Sequence, residues 1–356
     1  MTRHKDPQGP SRHAPSLCRL AGTLTIAAAA AFGSAPAQAE DGLSVALFTG
    51  TCANPIRTTW QAQAEYEIQQ KYADVVSSVE WFCAQGDVNL GISQIKSIAA
   101  RGFDAAVIES DWGGALLPAI KDAARAGVKI SIFLIPVDGE VGKDYVNVVL
   151  SDFDKLGENA AEFFIDKLGG KGTIIGLGGP PNNTWDTPQI EAMKRVFAER
   201  APDITYLDTG WADWNPASSA QAMGTLLSKY PEIDGVWSME ATTLIPVLNQ
   251  FIAHDREPPA FYGFDTNGLA GQYLDLKKKY PSLEYGMAVS PSLYAREAVG
   301  FAIDAALGKE VPAEFVIDEK FFDCSAVCSD LHEPSMPDSY IPTSDLPLDF
   351  MQQYLK

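Results

Sequence analysis

The sequence predicts an α/β protein built from two doubly wound lobes, and three observations carry that prediction. Short apolar runs alternate along the chain with segments whose apolar residues recur at helical spacing. Most of the runs are apolar on both faces, as the strands of a parallel sheet covered by helices must be. The alternation occurs over about residues 43–135 and again over about residues 171–265, which is too long and too regular for one sheet.

The apolar runs define the expected strands. In chain order they are residues 43–48, 77–83, 104–108, 129–135, 172–177, 203–208, 234–238, 260–264 and 284–289. Gly169-Gly170 is expected to end a helix just before the next strand. A polar piece over residues 136–154 is expected to join the two halves. The tail after Phe322 is rich in Pro, Ser and Asp, and it is expected to wrap on one lobe as a loop-rich extension.

The first 39 residues have the three parts of a secretory signal peptide. Residues 1–19 are basic, residues 20–39 carry no charge, and the stretch ends in the small-residue site Ala37-Gln38-Ala39. Cleavage after Ala39 and export are therefore expected. An uncleaved anchor is the alternative, but Gly, Ser and Pro interrupt an apolar stretch that is already short for a spanning helix.

The charge and the length of the chain limit the possible functions. The net charge of the 356 residues is −19, and the first 39 residues carry a net +3, so the mature chain is near −22. A nucleic-acid binder needs a basic face for phosphates, which excludes that class. A chain of this length usually forms two domains, and a hydrophobic content of 46% is enough for their cores.

Four cysteines remain after the expected cleavage: Cys52, Cys83, Cys324 and Cys328. An even number in an exported chain suggests two disulfides, with three possible pairings. Local geometry favours Cys324 with Cys328 and Cys52 with Cys83. A zinc site is a weak competitor, because the mature chain has only His254 and His332 and no Cys-x-x-Cys pair.

Ligands of open α/β sheets bind beyond the carboxyl ends of the strands, so the residues directly after each expected strand are the candidate site. Five tryptophans fall in these loops, with carboxylates and amides beside them: Trp60, Trp112, Trp185, Trp211 and Trp214. A flat aromatic face next to planar polar groups is how proteins hold a sugar or polyol in water. The alternative, that the rings pack the lobes, is open for any single ring. It is less favoured for all five, because bulky apolar side chains in polar loops are costly.

Catalytic signatures are missing from the sequence. It has no Gly-x-Ser-x-Gly elbow, no His-Glu-x-x-His and no Walker loop. With two histidines in the mature chain, a Cys-His or Ser-His relay is poorly supported. Glu109 and Asp111 could serve glycoside hydrolysis as a carboxylate pair, which keeps a secreted glycosidase-like enzyme as a minor alternative. No catalytic residue, metal or cofactor is expected.

Several short motifs follow one another along the chain: Asn54-Pro55 after the first strand, RGFDAAVI at 101–108, ARAGVKI at 124–130, GFD at 263–265 and AVSPSLYAREAVGFAIDAALGK at 288–309. Together they resemble the motifs of one family, the type I periplasmic binding proteins of the ribose/galactose-binding class, which deliver sugars to ABC transporters. Their order and spacing cover nearly all of residues 43–320.

The resemblance implies two Rossmann-like lobes joined by a three-crossover hinge, with the ligand held between lobes that close around it. The crossovers are expected near Ile135–Asp138, Val289–Pro291 and Phe315–Asp318. The N-terminal lobe would then comprise residues 40–136 and 291–316. The C-terminal lobe would comprise residues 137–290 and 317–356, including the loop-rich tail.

The resemblance also implies ligand-binding residues. By position it implies Asn54, Asp111, Trp112, Trp214, Glu240 and Asp265, the last as the GFD aspartate that accepts hydrogen bonds from ligand hydroxyls. The sequence departs from the family in three places, and in one of them the crossover loop reads Val289-Ser290 and lacks the usual amide side chain. Ile56-Arg57 stands where an aromatic pair is usual, and Asp186 and Gln189 stand in the region of a missing arginine. Arg57, Asp186 and Gln189 are therefore included in the expected site, and Trp60, Trp112 and Trp185 are candidates to replace the lost rings.

The function implied is a periplasmic solute-binding protein. It would capture a small sugar or polyol and deliver it, as a monomer, to the permease of an ABC importer. The alternative within the same fold is an exported sensor module that reports the ligand to a membrane receptor. The acidic residues Glu240 and Asp265 leave an amino-bearing ligand open.

Overall fold

The computed structural model describes residues 42–52 and 54–355. The expected signal peptide and its cleavage after Ala39 lie outside these residues. Within the described ranges, no helix is both long and apolar enough to cross a membrane.

Two six-stranded sheets form the framework. The strands are β1 (Leu43–Thr49), β2 (Val76–Cys83), β3 (Ala105–Glu109), β4 (Lys129–Leu134), β5 (Asn147–Ser151), β6 (Lys171–Gly178), β7 (Asp203–Trp211), β8 (Gly235–Trp237), β9 (Ala260–Phe264), β10 (Tyr285–Ala288), β11 (Glu314–Ile317) and β12 (Phe321–Asp323). The order is β11-β5-β4-β3-β1-β2 in the first sheet and β12-β10-β9-β8-β6-β7 in the second. All neighbouring pairs are parallel except β10 with β12. The predicted two-lobed, doubly wound α/β fold is confirmed.

Helices connect the strands and cover the sheets. They are α1 (Pro55–Glu67), α2 (Val88–Arg101), α3 (Leu117–Arg125), α4 (Phe153–Leu168), α5 (Asp186–Arg200), α6 (Pro216–Lys229), α7 (Ala241–Ala253), α8 (Asn267–Lys279), α9 (Tyr294–Ala306), α10 (Cys324–Leu331) and α11 (Leu348–Met351). In the first lobe α1 and α9 pack on one face of the sheet and α2 and α3 on the other. Strand β1 shows the consequence, because Val45 and Leu47 enter one core while Ala46 and Phe48 enter the other.

The start of α1 is determined locally and brings the first loop to the carboxyl edge of the sheet. The Asn54 side chain accepts a hydrogen bond from the backbone N–H of Ile56 at 2.9 Å, as a helix N-cap. Pro55 occupies the first turn, where its missing N–H costs nothing. Arg57 consequently projects from the first turn of α1, directly after β1.

Three crossovers, called passages below, connect the lobes. The first passage lies later in the chain than the expected residues 135–138. Strand β5 pairs in parallel with β4, with Val148 opposite Ile132, so the chain completes the first sheet before Asp152 caps α4. The interval 136–154 thus contains β5 (Asn147–Ser151), whose apolar residues 148–150 belong to a strand and not to a linker. The second passage, residues 289–293 between β10 and α9, includes the expected 289–291. The third consists of residues 318–320, because residues 315–317 belong to β11.

The tail after Phe322 contacts both lobes, whereas it was expected to wrap on one. Its first part, α10, packs against α8 of the second lobe. Its later part contributes apolar side chains to a small cluster with Ala62 of α1, in the first lobe. The apolar residues spaced through this polar segment explain the difference, since they need a second surface on which to be buried.

Two disulfides are formed, and both match the favoured pairing. Cys52–Cys83 joins the loop after β1 to the end of β2, with the two Cα atoms 5.7 Å apart. Cys324–Cys328 lies within α10, with a Cα–Cα distance of 4.8 Å. The four thiols are therefore used in covalent bonds and cannot serve as zinc ligands.

A buried polar cluster ties the three passages together at the hinge. Glu319, in the third passage, accepts a hydrogen bond from the hydroxyl of Ser151, next to the first passage. The same hydroxyl is hydrogen-bonded to Tyr294, next to the second passage. Asn159 of α4 donates its side-chain N–H to the backbone oxygen of Glu319 at 3.1 Å. Burial raises the pKa of Glu319 to about 7. The Ser151 hydroxyl lowers it in part, and the charges of Asp152 and Asp318 raise it.

We expect Glu319→Gln to remove a pH-dependent part of the stability. The neutral carboxyl is favoured in the folded hinge, so wild-type stability falls as pH rises from the ordinary glutamate pKa of about 4.5 through 7. The variant should be more stable than wild type by roughly 2–3 kcal/mol at pH 8 and nearly equal to it at pH 4.5. Urea denaturation at both pH values measures this. Glu310→Gln, at an exposed position, is the control. A Glu319→Gln difference that is the same at both pH values would contradict the expectation.

Candidate functional site

On the first lobe, Arg57 is held in one orientation by two carboxylates. Its guanidinium Nη2 lies 2.5 Å from Glu109 Oε1 and 2.8 Å from Asp111 Oδ2. The guanidinium also stacks over the ring of Trp60, 5.1 Å from the ring centroid. Glu109 is held in turn, because its Oε2 accepts a hydrogen bond from the Gly50 N–H at 2.9 Å. Arg57 is thus a fixed cation at the carboxyl edge of the first sheet.

The titration of this group reflects a balance of burial and charge. Burial disfavours the charged form of Arg57, but Glu109 and Asp111 outweigh it and raise the pKa of the guanidinium. Burial raises the pKa of Glu109, the Arg57 charge lowers it, and the net direction is upward. The cation stays charged at every physiological pH, and its charge limits the rise in the pKa of Glu109.

On the second lobe, Asp186 holds Trp214 in place. Asp186 Oδ2 accepts hydrogen bonds from the Gly179 N–H at 2.8 Å, from the Asn183 side chain at 3.0 Å and from the Trp214 indole N–H at 3.0 Å. A side chain at residue 179 would begin 2.2 Å from the Trp214 ring, so only glycine allows this contact. The Trp214 side chain is nonetheless partly exposed, at 36%. It therefore offers an aromatic face in a fixed orientation.

Glu240 relates the two lobes electrostatically. It caps α7 and accepts a hydrogen bond from the Thr242 hydroxyl at 2.8 Å. Burial raises the pKa of Glu240, and the charge of Arg57, on the other lobe, lowers it in part. An acidic group of the second lobe thus lies within electrostatic range of the fixed cation of the first lobe.

Trp185 makes an apolar connection between the lobes. Its ring packs edge-on against Phe153, with centroids 5.1 Å apart, and at 6.3 Å from Phe264. The same side chain packs against the apolar core under α1 and α9 of the first lobe. The Gln189 side chain is fully buried and donates to the backbone oxygen of Trp185 at 2.8 Å, which supports the ring.

Two of the expected aromatic candidates lie within the first lobe. Trp60 is 2% exposed, packs on Phe133 and Tyr294, and donates its indole N–H to the backbone oxygen of Pro291 at 2.8 Å. It supports Arg57 and the second passage, and it presents no open face to a ligand. Trp112 packs close to Gly91, where a side chain would start 3.0 Å from its ring. A direct ligand contact by either ring stays a prediction without support from this arrangement.

Asp265 is placed differently from its expected role as an open acceptor. It is fully buried. Its Oδ1 accepts the Ser290 N–H at 2.8 Å, and its Oδ2 accepts the N–H and the hydroxyl of Thr343 at 3.0 and 2.9 Å. Both oxygens are thus engaged within the protein. Burial raises the pKa of this carboxyl, and the Thr343 and Ser290 donors lower it in part. The geometry favours an anchoring role over a direct ligand contact.

Of the expected residues, the structure brings Arg57 and Asp111 together on the first lobe, with Asn54 at the start of the same helix. It brings Asp186 and Trp214 together on the second lobe, and Glu240 lies within electrostatic range of both Arg57 and Asp186. The sequence analysis did not include Glu109, Asn183 and Thr343 in the site. Glu109 carried a signal, since it is the last residue of β3 and stands two residues before Asp111. Thr343 carried none, because it lies 78 residues from Asp265.

These features define a two-lobed α/β protein that holds fixed charged groups and one fixed aromatic ring at the strand ends of its sheets. Comparison with known proteins then identifies the family. The chain belongs to the periplasmic binding protein domain family, whose sequence profile matches residues 45–310. This confirms the resemblance to periplasmic binding proteins.

Individual relatives share the fold at low identity. The chain is 26% identical over 229 residues to a xylitol-binding protein of Mycolicibacterium smegmatis, covering 62% of this chain and 64% of the relative, slightly less than two thirds of its length. It is 25% identical over 268 residues to a ribose import binding protein of Bacillus subtilis, covering 75% of this chain and 83% of the relative. A solved ABC transporter solute-binding protein from Mycobacterium smegmatis, with bound glycerol, has 21% identity and a TM-score of 0.69 over 82% of this chain and 97% of that chain.

Proposed function

We propose that this chain is a periplasmic solute-binding protein of an ABC importer and that it captures a small, uncharged sugar or polyol between its lobes. The observation that carries the proposal is that each lobe holds a fixed polar group. Arg57 is paired with Asp111 on one lobe, and Trp214 is hydrogen-bonded to Asp186 on the other. Family membership and the names of the relatives, which bind xylitol and ribose, support it. The signal peptide expected over residues 1–39 supports export to the periplasm, and a monomer that meets the permease completes the proposal.

The chemistry of the gap suits hydroxyl groups. Carboxylates accept and a guanidinium donates strong hydrogen bonds, and an indole face packs against C–H groups. The carboxylates Glu109, Asp111, Asp186 and Glu240 outnumber the cation Arg57, which is already paired twice. A ligand with its own carboxylate or phosphate would meet repulsion that no free cation in this group relieves. The excess of acidic groups therefore disfavours an anionic ligand, and the names of the relatives support a neutral sugar or polyol.

The two ion pairs of Arg57 argue against catalysis. Glu109 and Asp111, the carboxylates that could have served glycoside hydrolysis, both contact Arg57. Glu109 is also fully buried, so this arrangement does not give a substrate the open approach that a nucleophile or a general acid needs. The family match also supports binding without turnover.

Titration calorimetry tests the proposal with xylitol, D-ribose and D-xylonate. We expect stoichiometric binding of a neutral probe without turnover, and binding of the carboxylate analogue weaker by about 100-fold, because like charges across a buried contact cost several kcal/mol. Trp214→Ala should weaken binding of the neutral probe by about three- to tenfold through lost stacking. Trp214→Phe is the matched control, since it keeps an aromatic face and loses only the bond to Asp186. Tighter binding of D-xylonate than of xylitol and D-ribose would contradict the proposal.

A further inference from the structure

The chain after α10 forms a segment, residues 333–355, that is fastened first to the second lobe. Asn267, at the start of α8, makes most of these contacts. Its side-chain Nδ2 donates to the backbone oxygens of Glu333 and Met336, each at 2.9 Å, and its Oδ1 accepts the Glu333 N–H at 2.8 Å. The Asn267 N–H donates to the backbone oxygen of Tyr340 at 2.7 Å. Asn267 is 1% exposed, so these bonds are shielded from water.

The middle of the segment is fastened beside the second passage of the hinge. Asp265 binds Ser290, within that passage, with one oxygen, and it binds Thr343 of the segment with the other. Hydrogen bonds to a buried carboxylate are stronger than those between neutral groups. One side chain thus holds the hinge and the segment in a common position.

The end of the segment contacts the first lobe. The Gln63 side chain of α1 donates to the backbone oxygen of Ser344. Met351 is fully buried in a cluster with Ala62 of α1, and the rings of Phe350 and Tyr66 meet edge-on with centroids 5.1 Å apart. The Tyr354 hydroxyl donates to Glu65 at 2.6 Å. Residues 344–355 therefore bind the helix that carries Arg57.

We propose that residues 333–355 act as a strap between the lobes, and that Asp265 is the positioning residue that fixes the strap so that its hold on α1 limits how far the lobes open. Three passages already connect the lobes, and hinge motion of such proteins occurs by dihedral changes in connections of this kind. The strap is a fourth link. It is not part of the hinge itself, so opening requires its contacts with α1 or with Asp265 to break.

The contacts of the strap differ in kind at its two ends. The second-lobe end is held by backbone and side-chain hydrogen bonds of Asn267 and Asp265. The first-lobe end is held mainly by apolar side chains of the cluster with Ala62. The contacts with α1 are therefore the separable ones, because apolar packing makes up most of them and their aromatic rings lie partly at the surface.

Ligand-free protein tests the proposal, so the result does not depend on which solute binds. Phe350→Ala/Tyr354→Phe weakens the hold on α1, and Gln352→Ala, at an exposed position in the same turn, is its control. Asp265→Asn turns an acceptor of two Thr343 donors into a donor, and Thr343→Ser, which keeps the hydroxyl, is its control. Small-angle X-ray scattering measures the radius of gyration, and hydrogen exchange measures the protection of amides 346–355.

We expect both test variants to show a larger radius of gyration than wild type and at least about tenfold faster exchange of amides 346–355, with both controls close to wild type. Tyr354→Phe alone, which removes one hydroxyl, should shift both readouts in the same direction if the double variant folds poorly. Faster exchange without any increase in the radius of gyration would overturn the proposal, because the segment would then be surface packing that does not restrain the lobes. Unchanged values in all variants would overturn it as well.

Discussion

Replacing Arg57 by methionine is expected to lower the free energy of unfolding by about 3–5 kcal/mol, because the change leaves the buried Glu109 carboxylate without its counter-charge. Glu109 is fully buried, and apart from the Gly50 N–H its close partner is the Arg57 guanidinium at 2.5 Å. Without Arg57, burial and the charge of Asp111 raise the pKa of Glu109 still further above its value of about 8. The loss of stability should therefore be larger at pH 8 than at pH 5, where the carboxyl is neutral with or without Arg57.

Two further variants test the cause of this effect. Arg57→Met/Glu109→Gln removes both charges and should recover most of the lost stability, since a neutral amide can keep the bond to the Gly50 N–H. Arg195→Met breaks an exposed pair with Asp154 and should cost no more than about 1 kcal/mol. Urea denaturation at pH 5 and pH 8 measures all three. If the double variant were as unstable as Arg57→Met, lost packing on Trp60 and not the unpaired charge would be the cause.

Replacing Cys52 and Cys83 by alanine is expected to lower the free energy of unfolding by about 3–4 kcal/mol in the chain-entropy description, because the disulfide closes a loop with a sequence separation of 31. The bond also fastens the loop between β1 and α1, which leads into Asn54 and Arg57. Affinity for the neutral probe should fall along with stability. Thermal unfolding and calorimetry on the same preparation measure both effects.

Mild reduction of the wild-type protein provides the matched comparison. Cys52 is exposed, whereas Cys324 and Cys328 are buried, so a thiol reductant under native conditions should open Cys52–Cys83 first. Mass spectrometry after alkylation identifies the opened bond, and the reduced protein should then behave like the double variant. Earlier opening of Cys324–Cys328, or a double variant as stable as wild type, would contradict the expectation.

The fold was largely predictable, because its main requirement is visible in the sequence. A strand that is buried on both faces must be apolar throughout, and such runs mark β1, β3, β4, β6, β8, β9 and β10 close to their observed positions. Strands β5, β11 and β12 were missed. Each is short, lies at or next to a sheet edge, and follows a polar stretch that resembles a linker. The first passage was expected too early in the chain because β5 was missed.

The site was predictable as a set of loops but not as a set of contacts. Residues after parallel strands must meet at one edge of the sheet, so the sequence by itself placed Arg57 and Asp111 near each other and Asp186 near Trp214. It could not show that Trp60 faces inward. The side of α1 that a ring occupies depends on how that helix is rotated against the sheet and against α9.

By itself, then, the sequence determined the two α/β lobes, the disulfide pairing it favoured, and the loops in which the site lies, because these follow from periodicity, spacing and the common edge of parallel strands. Only the tertiary structure decided which charges pair and what the tail does. Arg57 and Asp111 are 54 residues apart, Asp265 and Thr343 are 78 apart, and Glu65 and Tyr354 are 289 apart. No local pattern records such contacts, since they arise when the packing of the two lobes brings distant segments together. The acceptor oxygens of Asp265 are taken by Ser290 and Thr343 for that reason, although the local sequence marks the residue as a ligand contact.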